Sequence, residues 1–146
     1  MRPLKRAITQ AIHEVLVSEG FTRAGTSWHY DGEETILVVN LQGSMWGKAS
    51  YINLAVWVKA LGRTRTPKEH VCHIRTRLRG VKLERALDEE DPSLSDDERL
   101  RTIASAVKTR GLPFLKSCAS LKAIKRLPSN TLDEVANLRV RKLIKK

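Results

Sequence analysis

Between Thr35 and Ala60 apolar residues recur with a period of two, first in TILVVNLQG and again in YINLAVWVKA, and the short turn SMWGKAS joins the two runs. Alternation of that kind puts successive side chains on opposite faces of a pleated strand, so this part of the chain is committed to a two-sided antiparallel sheet. Leu37, Val39 and Leu41 then share one face with Leu54, Val56 and Val58, while Val38, Asn40, Gln42 and Ser44 share the other with Tyr51, Asn53 and Trp57. Aligning the apolar rows requires paired residues whose numbers have an odd sum. Pairing Gln42 with Asn53 satisfies this, and sets Ser44 against Tyr51, Val38 against Trp57 and Leu41 against Leu54.

Asp31-Gly32, a strong hairpin signal, joins a further strand, Thr26 to Tyr30, to the first run. Ahead of it Leu4, Ile8, Ala11, Ile12, Val15 and Leu16 recur at helical spacing, and Gly20 can cap that helix in a left-handed conformation. TPKEHVCHIRTRLRGV reads two ways. As a strand it sends Cys72, Ile74 and Leu78 to the core and lines His73, Arg75, Arg77 and Arg79 along the outside. As a helix it starts at a capping box, Thr66 to Glu69, with Val71, Ile74, Leu78 and Val81 as its stripe. The strand is favoured, and in both readings the arginines leave the core. Further on, Ser95 and Glu98 cap a helix running to Gly111, Pro113 opens another carrying Phe114 to Ile124, and Thr131 with Glu134 caps a basic C-terminal helix over 131–146. The expected fold class is α+β: an antiparallel meander of three to four strands packed with an N-terminal helix and C-terminal helices, as one domain over 1–146.

An apolar content of 41% in 146 residues supports an ordinary core without disulfides or a structural metal. Cys72 and Cys118 stand far apart and outside any CxxC, which suits reduced thiols in a cytoplasm. The N-terminal stretch MRPLKRAITQAIHEVL is interrupted by Gln10, His13 and Glu14, unlike a signal peptide. Nothing in the chain approaches the roughly 20 apolar residues of a membrane span. The net charge of +11 is unevenly placed. Residues 59–82 hold eight Lys and Arg against one Glu, residues 84–98 hold eight acids against Arg85, and the stretch after Lys116 is basic again. Such a balance favours acidic partners, nucleic acid first, although an Arg-rich proteome would produce the same excess.

Several short stretches occur in a telling order: Gly20-Phe21, Asn40-Leu41-Gln42-Gly43-Ser44, Tyr51-Ile52-Asn53 and Cys72-His73-Ile74-Arg75-Thr76-Arg77-Leu78. In that order, over most of residues 4–127, the chain resembles a bacterial family known as domain of unknown function 4304. The resemblance implies an α+β fold and no assigned activity.

The leading candidate binding surface is the polar sheet face with its turn: Gln42, Ser44, Trp46, Tyr51, Asn53 and Trp57, joined by Arg75, Arg77 and Arg79 if the fourth strand neighbours the third. Guanidinium binds phosphate bidentately, and aromatic rings stack on bases. The competing possibility is that C-terminal helices cover this face and its amides merely satisfy backbone groups. A secondary basic patch comprises Arg139, Arg141, Lys142, Lys145 and Lys146, which would equally complement a helix dipole. His70, Cys72 and His73 lack the paired spacing of a closed zinc site, so neither metal nor cofactor is expected. Ser44 lacks a nucleophile elbow, and the acids of DEED have nothing to separate their pKa values. The function expected is therefore non-catalytic binding of nucleic acid or an acidic protein surface. A protein-binding inhibitor or immunity-type protein is the alternative, and a hydrolase of a small anionic substrate the second. The oligomeric state is not encoded in any recognisable pattern.

Overall fold

The computed structural model describes residues 2–145, so Lys146 of the basic patch lies outside the described residues. Helix α1 (Pro3–Ser18) has proline in its first turn and buries Ile8, Thr9, Ile12 and Leu16. It ends in a Schellman motif, with Gly20 at φ +90° and its N–H bonded to the Val17 carbonyl, and the Phe21 N–H bonded to the Leu16 carbonyl at 3.0 Å. A β-carbon on Gly20 would stand 3.2 Å from the Tyr30 ring, a tight contact, and the backbone angle is what favours glycine here.

Five antiparallel strands follow in a meander, β1 (Thr22–Ala24), β2 (Ser27–Asp31), β3 (Thr35–Gly43), β4 (Ser50–Val58) and β5 (Ile74–Arg77), adjacent in that order. Strand β1 is one more than expected. Its three exposed residues carry no alternation, and only Gly25, at φ +65°, marks the turn into β2. The hairpin after Asp31 forms where expected, with the Gly32 N–H bonded to the Thr35 carbonyl at 2.9 Å.

The β3–β4 register differs from the expected one by two residues. Gln42 pairs with Tyr51, Asn40 with Asn53, Val38 with Ala55, Ile36 with Trp57 and Leu41 with Ile52. Both registers align the apolar rows, because a shift of two returns every side chain to its own face. The deciding contacts lie elsewhere: the Ser44 N–H closes the turn on the Ala49 carbonyl at 2.9 Å, and Ala49 bridges Asp88.

The segment 69–79 contains a strand, preceded by a 3-10 turn over Glu69–Val71. Because that turn interrupts the alternation, Cys72 is buried against Ile36, Val38 and Ala55 on the second sheet face, not with Ile74 in the main core. His73, expected outside with the arginines, is also buried. Its N–H bonds to the Val56 carbonyl at 3.0 Å and its Nδ1 accepts from the Val58 N–H at 2.9 Å.

All the longer helices lie against the first sheet face. A short helix, α2 (Val81–Ala86), was not expected; α3 (Asp96–Ala106) begins, as expected, with Ser95 Oγ accepting from the Glu98 N–H at 3.1 Å. Gly111 does not stop this helix. The chain passes through a widened π-type turn, Val107–Gly111, into α4 (Leu112–Lys116), and the wider turn accommodates Pro113, which has no N–H to donate. At Gly111 an added β-carbon would stand 3.4 Å from Leu78 and 3.6 Å from Leu54, in ordinary contact with both. The expected helix from Pro113 to Ile124 is broken, and α5 (Leu121–Lys125) starts afresh with Ser120 as its cap.

The single basic helix expected over 131–146 is also divided, into α6 (Ser129–Val135) and α7 (Leu138–Ile144). Thr131 lies inside α6, and the side chain that caps a helix here is Asn137, accepting from the Val140 N–H at 3.1 Å. Between the two helices Ala136 is extended and bridges Ile74 at the edge of β5. Among the described residues no helix is long and apolar enough to cross a membrane.

Candidate functional site

The second sheet face is half covered, and not by helices. After β4 the chain folds back across it: Pro67 is buried there, with its carbonyl 2.9 Å from Nε2 of the buried His29. Trp57 sits at this covered end, half-buried, its indole N–H donating to the Gly62 carbonyl at 3.0 Å and its ring centroid 4.3 Å from that of His73. Burial, with Arg139 nearby, holds the His73 imidazole below the usual histidine range. A β-carbon on Gly62 would lie 2.6 Å from the Trp57 ring, so the loop closes on the indole through glycine.

The other end of the face is open, and there the amides gather around Arg77. The guanidinium lies over the Tyr51 ring, 4.2 Å from its centroid. Its Nε donates to Asn53 Oδ1 at 3.0 Å and its Nη2 to Gln42 Oε1 at 3.2 Å. Asn53 Nδ2 in turn donates to Gln42 Oε1 at 2.9 Å and to Asn40 Oδ1 at 3.1 Å. Asn40 Nδ2 finishes the chain on Ser27 Oγ at 3.0 Å. An arginine cannot accept, so its position dictates the orientation of every amide beyond it. No carboxylate among the described residues pairs with Arg77. Neutral amides and an aromatic face therefore fix a cation in place without neutralising it.

The other arginines of the row differ. Arg75 is bound by Glu69, at 3.0 Å, across a shallow groove of about 440 Å³ lined by Ser27, Asn40, Gln42, Lys68, Glu69, His70 and Arg75. Arg79 lies past the end of β5, exposed, and its carbonyl accepts from Arg110. Ser44 accepts the Trp46 N–H at 3.2 Å, so its hydroxyl serves the turn. Trp46 is 92% exposed and Met45 86%, both at the tip of the β3–β4 hairpin.

The basic patch near the C-terminus is partly committed to structure. Arg139 donates to the Leu61 carbonyl at 2.6 Å and so fastens the crossing loop, and Arg141 pairs with Asp133 at 3.3 Å. Lys142 and Lys145 are exposed. Cys72 and Cys118 are buried, and burial pushes their thiols up to about 12 and about 11, so neither is a nucleophile near neutral pH.

A family profile described as "Domain of unknown function (DUF4304)" matches residues 12–117. The chain belongs to that family. No curated protein and no solved structure matches it. The DUF4304 span takes in the whole sheet, the crossing loop and the amide–arginine cluster, and leaves out α5, α6 and α7, with Arg139 to Lys145.

Two roles in this DUF4304 chain have no signature in its sequence. Asn40 was placed on the polar face, but its role as the terminal member of the amide chain depends on the register. Arg99 reads as one more charged residue of α3, yet it is 2% exposed and its Nη atoms donate to the carbonyls of Arg85, Ala86, Asp88 and Asp91 at 2.6 to 3.2 Å. It organises the acidic loop, which docks on the hairpin base through the Ser50 N–H to Leu87 carbonyl bond at 3.0 Å. In that loop Arg2 grips Glu89 with two bonds, at 2.6 and 3.0 Å, and holds its carboxyl below the usual range.

Proposed function

We propose that this DUF4304 protein is a non-catalytic binding protein whose open sheet face engages an acidic partner, single-stranded nucleic acid in the first place. The observation that carries this reading is Arg77, held over Tyr51 by Gln42 and Asn53 with no carboxylate to neutralise it. A cation fixed by an aromatic ring and amides is the kind of group that single-strand binding uses for phosphate and base edges. The open part of the face supports a single strand over a duplex. It spans four strands about 4.8 Å apart, short of the width of a double helix, and the crossing loop bounds it.

The test is a titration of a fluorescent random-sequence single strand at several salt concentrations, on wild type and on a variant with Arg75, Arg77 and Arg79 all changed to Gln. The logarithm of affinity should fall linearly with the logarithm of salt concentration, with a slope shallower in the variant by up to about three phosphate contacts. An identical slope in both proteins would remove the arginine row from the interface.

A second reading, an inhibitor or immunity-type protein, is favoured by the hairpin tip. Met45 and Trp46 project from a turn anchored at its base, and an exposed tryptophan suits the centre of a protein interface. A stoichiometric protein complex lost on Trp46→Ala and insensitive to salt would establish that reading in place of the first.

A further inference from the structure

The amide cluster does more than hold Arg77: it determines which hydrogen-bonding groups remain for a ligand. Gln42 Oε1 receives one bond from Arg77 Nη2, at 3.2 Å, and one from Asn53 Nδ2, at 2.9 Å, so both its lone pairs are occupied. The Gln42 amide is thereby fixed with its nitrogen outward, and among the described residues that nitrogen has no partner. Arg77 Nη1 is likewise without a partner, because its Nε and Nη2 make the bonds to the amides. Asn53, 4% exposed, is out of reach beneath them. What Gln42 and Arg77 offer together is donors only.

A glutamine usually reads adenine by donating to N7 while accepting from the N6 amino group. Gln42 cannot do this, since its acceptor is already taken. Two outward donors instead match two adjacent acceptors, and the base edge with that pattern is guanine O6 and N7. A phosphate could also accept from both donors, but a phosphate contact is blind to the base, so dependence of affinity on the base separates the two. With Arg77 turned to the base, Lys68 and His70 at the groove wall join exposed Arg79 as groups placed to meet backbone phosphate.

Resting on the single-strand reading above, we propose that the Arg77–Gln42 pair makes this face selective for an unpaired guanine, recognised through O6 and N7. Guanine in a duplex keeps that edge in the major groove, out of reach of a face confined between loop and hairpin. The selected form is therefore an unstacked guanine in a single strand.

Selectivity of this kind is measured with labelled oligothymidylates that carry one central purine: guanine, adenine, inosine or 7-deazaguanine. The guanine strand should bind roughly tenfold more tightly than the adenine strand, inosine should match guanine because it keeps O6 and N7, and 7-deazaguanine should fall to the adenine level. In Gln42→Met the guanine preference should largely vanish; Gln42 is exposed, so this variant should fold. Equal binding of all four strands would overturn the guanine assignment and leave the single-strand reading standing. So would a preference that survives in 7-deazaguanine or disappears in inosine, since either moves recognition to the other edge. Failure of every strand to bind would overturn the reading and the assignment together.

Discussion

Replacing Arg99 with methionine is expected to lower the unfolding free energy by about 3 to 5 kcal/mol, because it strips the donors from a set of inward-facing carbonyls while leaving the carbonyls in place. The guanidinium serves Arg85 and Ala86 at the C-terminal end of α2 and Asp88 and Asp91 in the acidic loop. Replacing a buried charge with an apolar side chain can be neutral when its partner is replaced as well, but backbone carbonyls cannot be replaced. Methionine approximates the volume, so the loss reports hydrogen bonding more than packing. Urea denaturation of the variant measures it. A loss below about 1 kcal/mol would mean that water satisfies those carbonyls equally well, and that the loop needs no central cation. The Ser50 N–H, bonded to the Leu87 carbonyl, and the Glu89 N–H, bonded to the Lys48 carbonyl, should also exchange faster in the variant, because the same loop backs the β3–β4 hairpin.

Trp57→Ala is expected to cost about 2 to 4 kcal/mol of stability, somewhat less than for a fully buried tryptophan, and to leave single-strand affinity nearly unchanged. The indole fills the space under Gly62 and against His73, and its N–H holds the Gly62 carbonyl at 3.0 Å. Trp57 pairs with Ile36, whereas the Arg77 cluster stands on Asn40, Gln42, Tyr51 and Asn53 further along the strands. Thermal melts and binding titrations on this one variant separate the roles. A lowered melting temperature with intact binding fits a tryptophan that fastens the crossing loop. Lost binding at an unchanged melting temperature would place Trp57 in the interface after all.

The strands that alternate strictly were legible in the sequence, along with the faces they present, because burial on one side enforces a period of two. The register was not. Moving Gln42 from Asn53 to Tyr51 changes no residue's face, so apolar patterning is blind to it, and contacts from Ala49 to Asp88 and from Arg77 to Asn53 come from far along the chain. The same limit hid Arg99, whose partners are carbonyls with no signature in the sequence. In the C-terminal third, local capping signals misled. Thr131 and Glu134 have the right spacing for a cap, but the edge of β5 draws Ala136 into an extended bridge and Asn137 starts a new helix. Of the candidate site, Gln42, Tyr51, Asn53 and Arg77 do converge, joined by Asn40, which the alternation puts on the same face. Trp57 and Trp46 lie at a covered end and a protruding tip, and Arg75 is engaged by Glu69. The crossing loop that divides the face into covered and open halves contains no regular strand, and so gave no periodic signal.

An NMR titration of isotope-labelled protein with a guanine-containing single strand tests most directly whether the open face is the binding surface. The side-chain amide resonances of Gln42, Asn53 and Asn40, the Arg77 Nε–H and the backbone of β5 should shift together and saturate at one affinity, while α1 and α3 stay unperturbed. Shifts confined to Arg139 through Lys145, or to the Met45–Trp46 tip with the amide cluster unmoved, would contradict the assignment of that face.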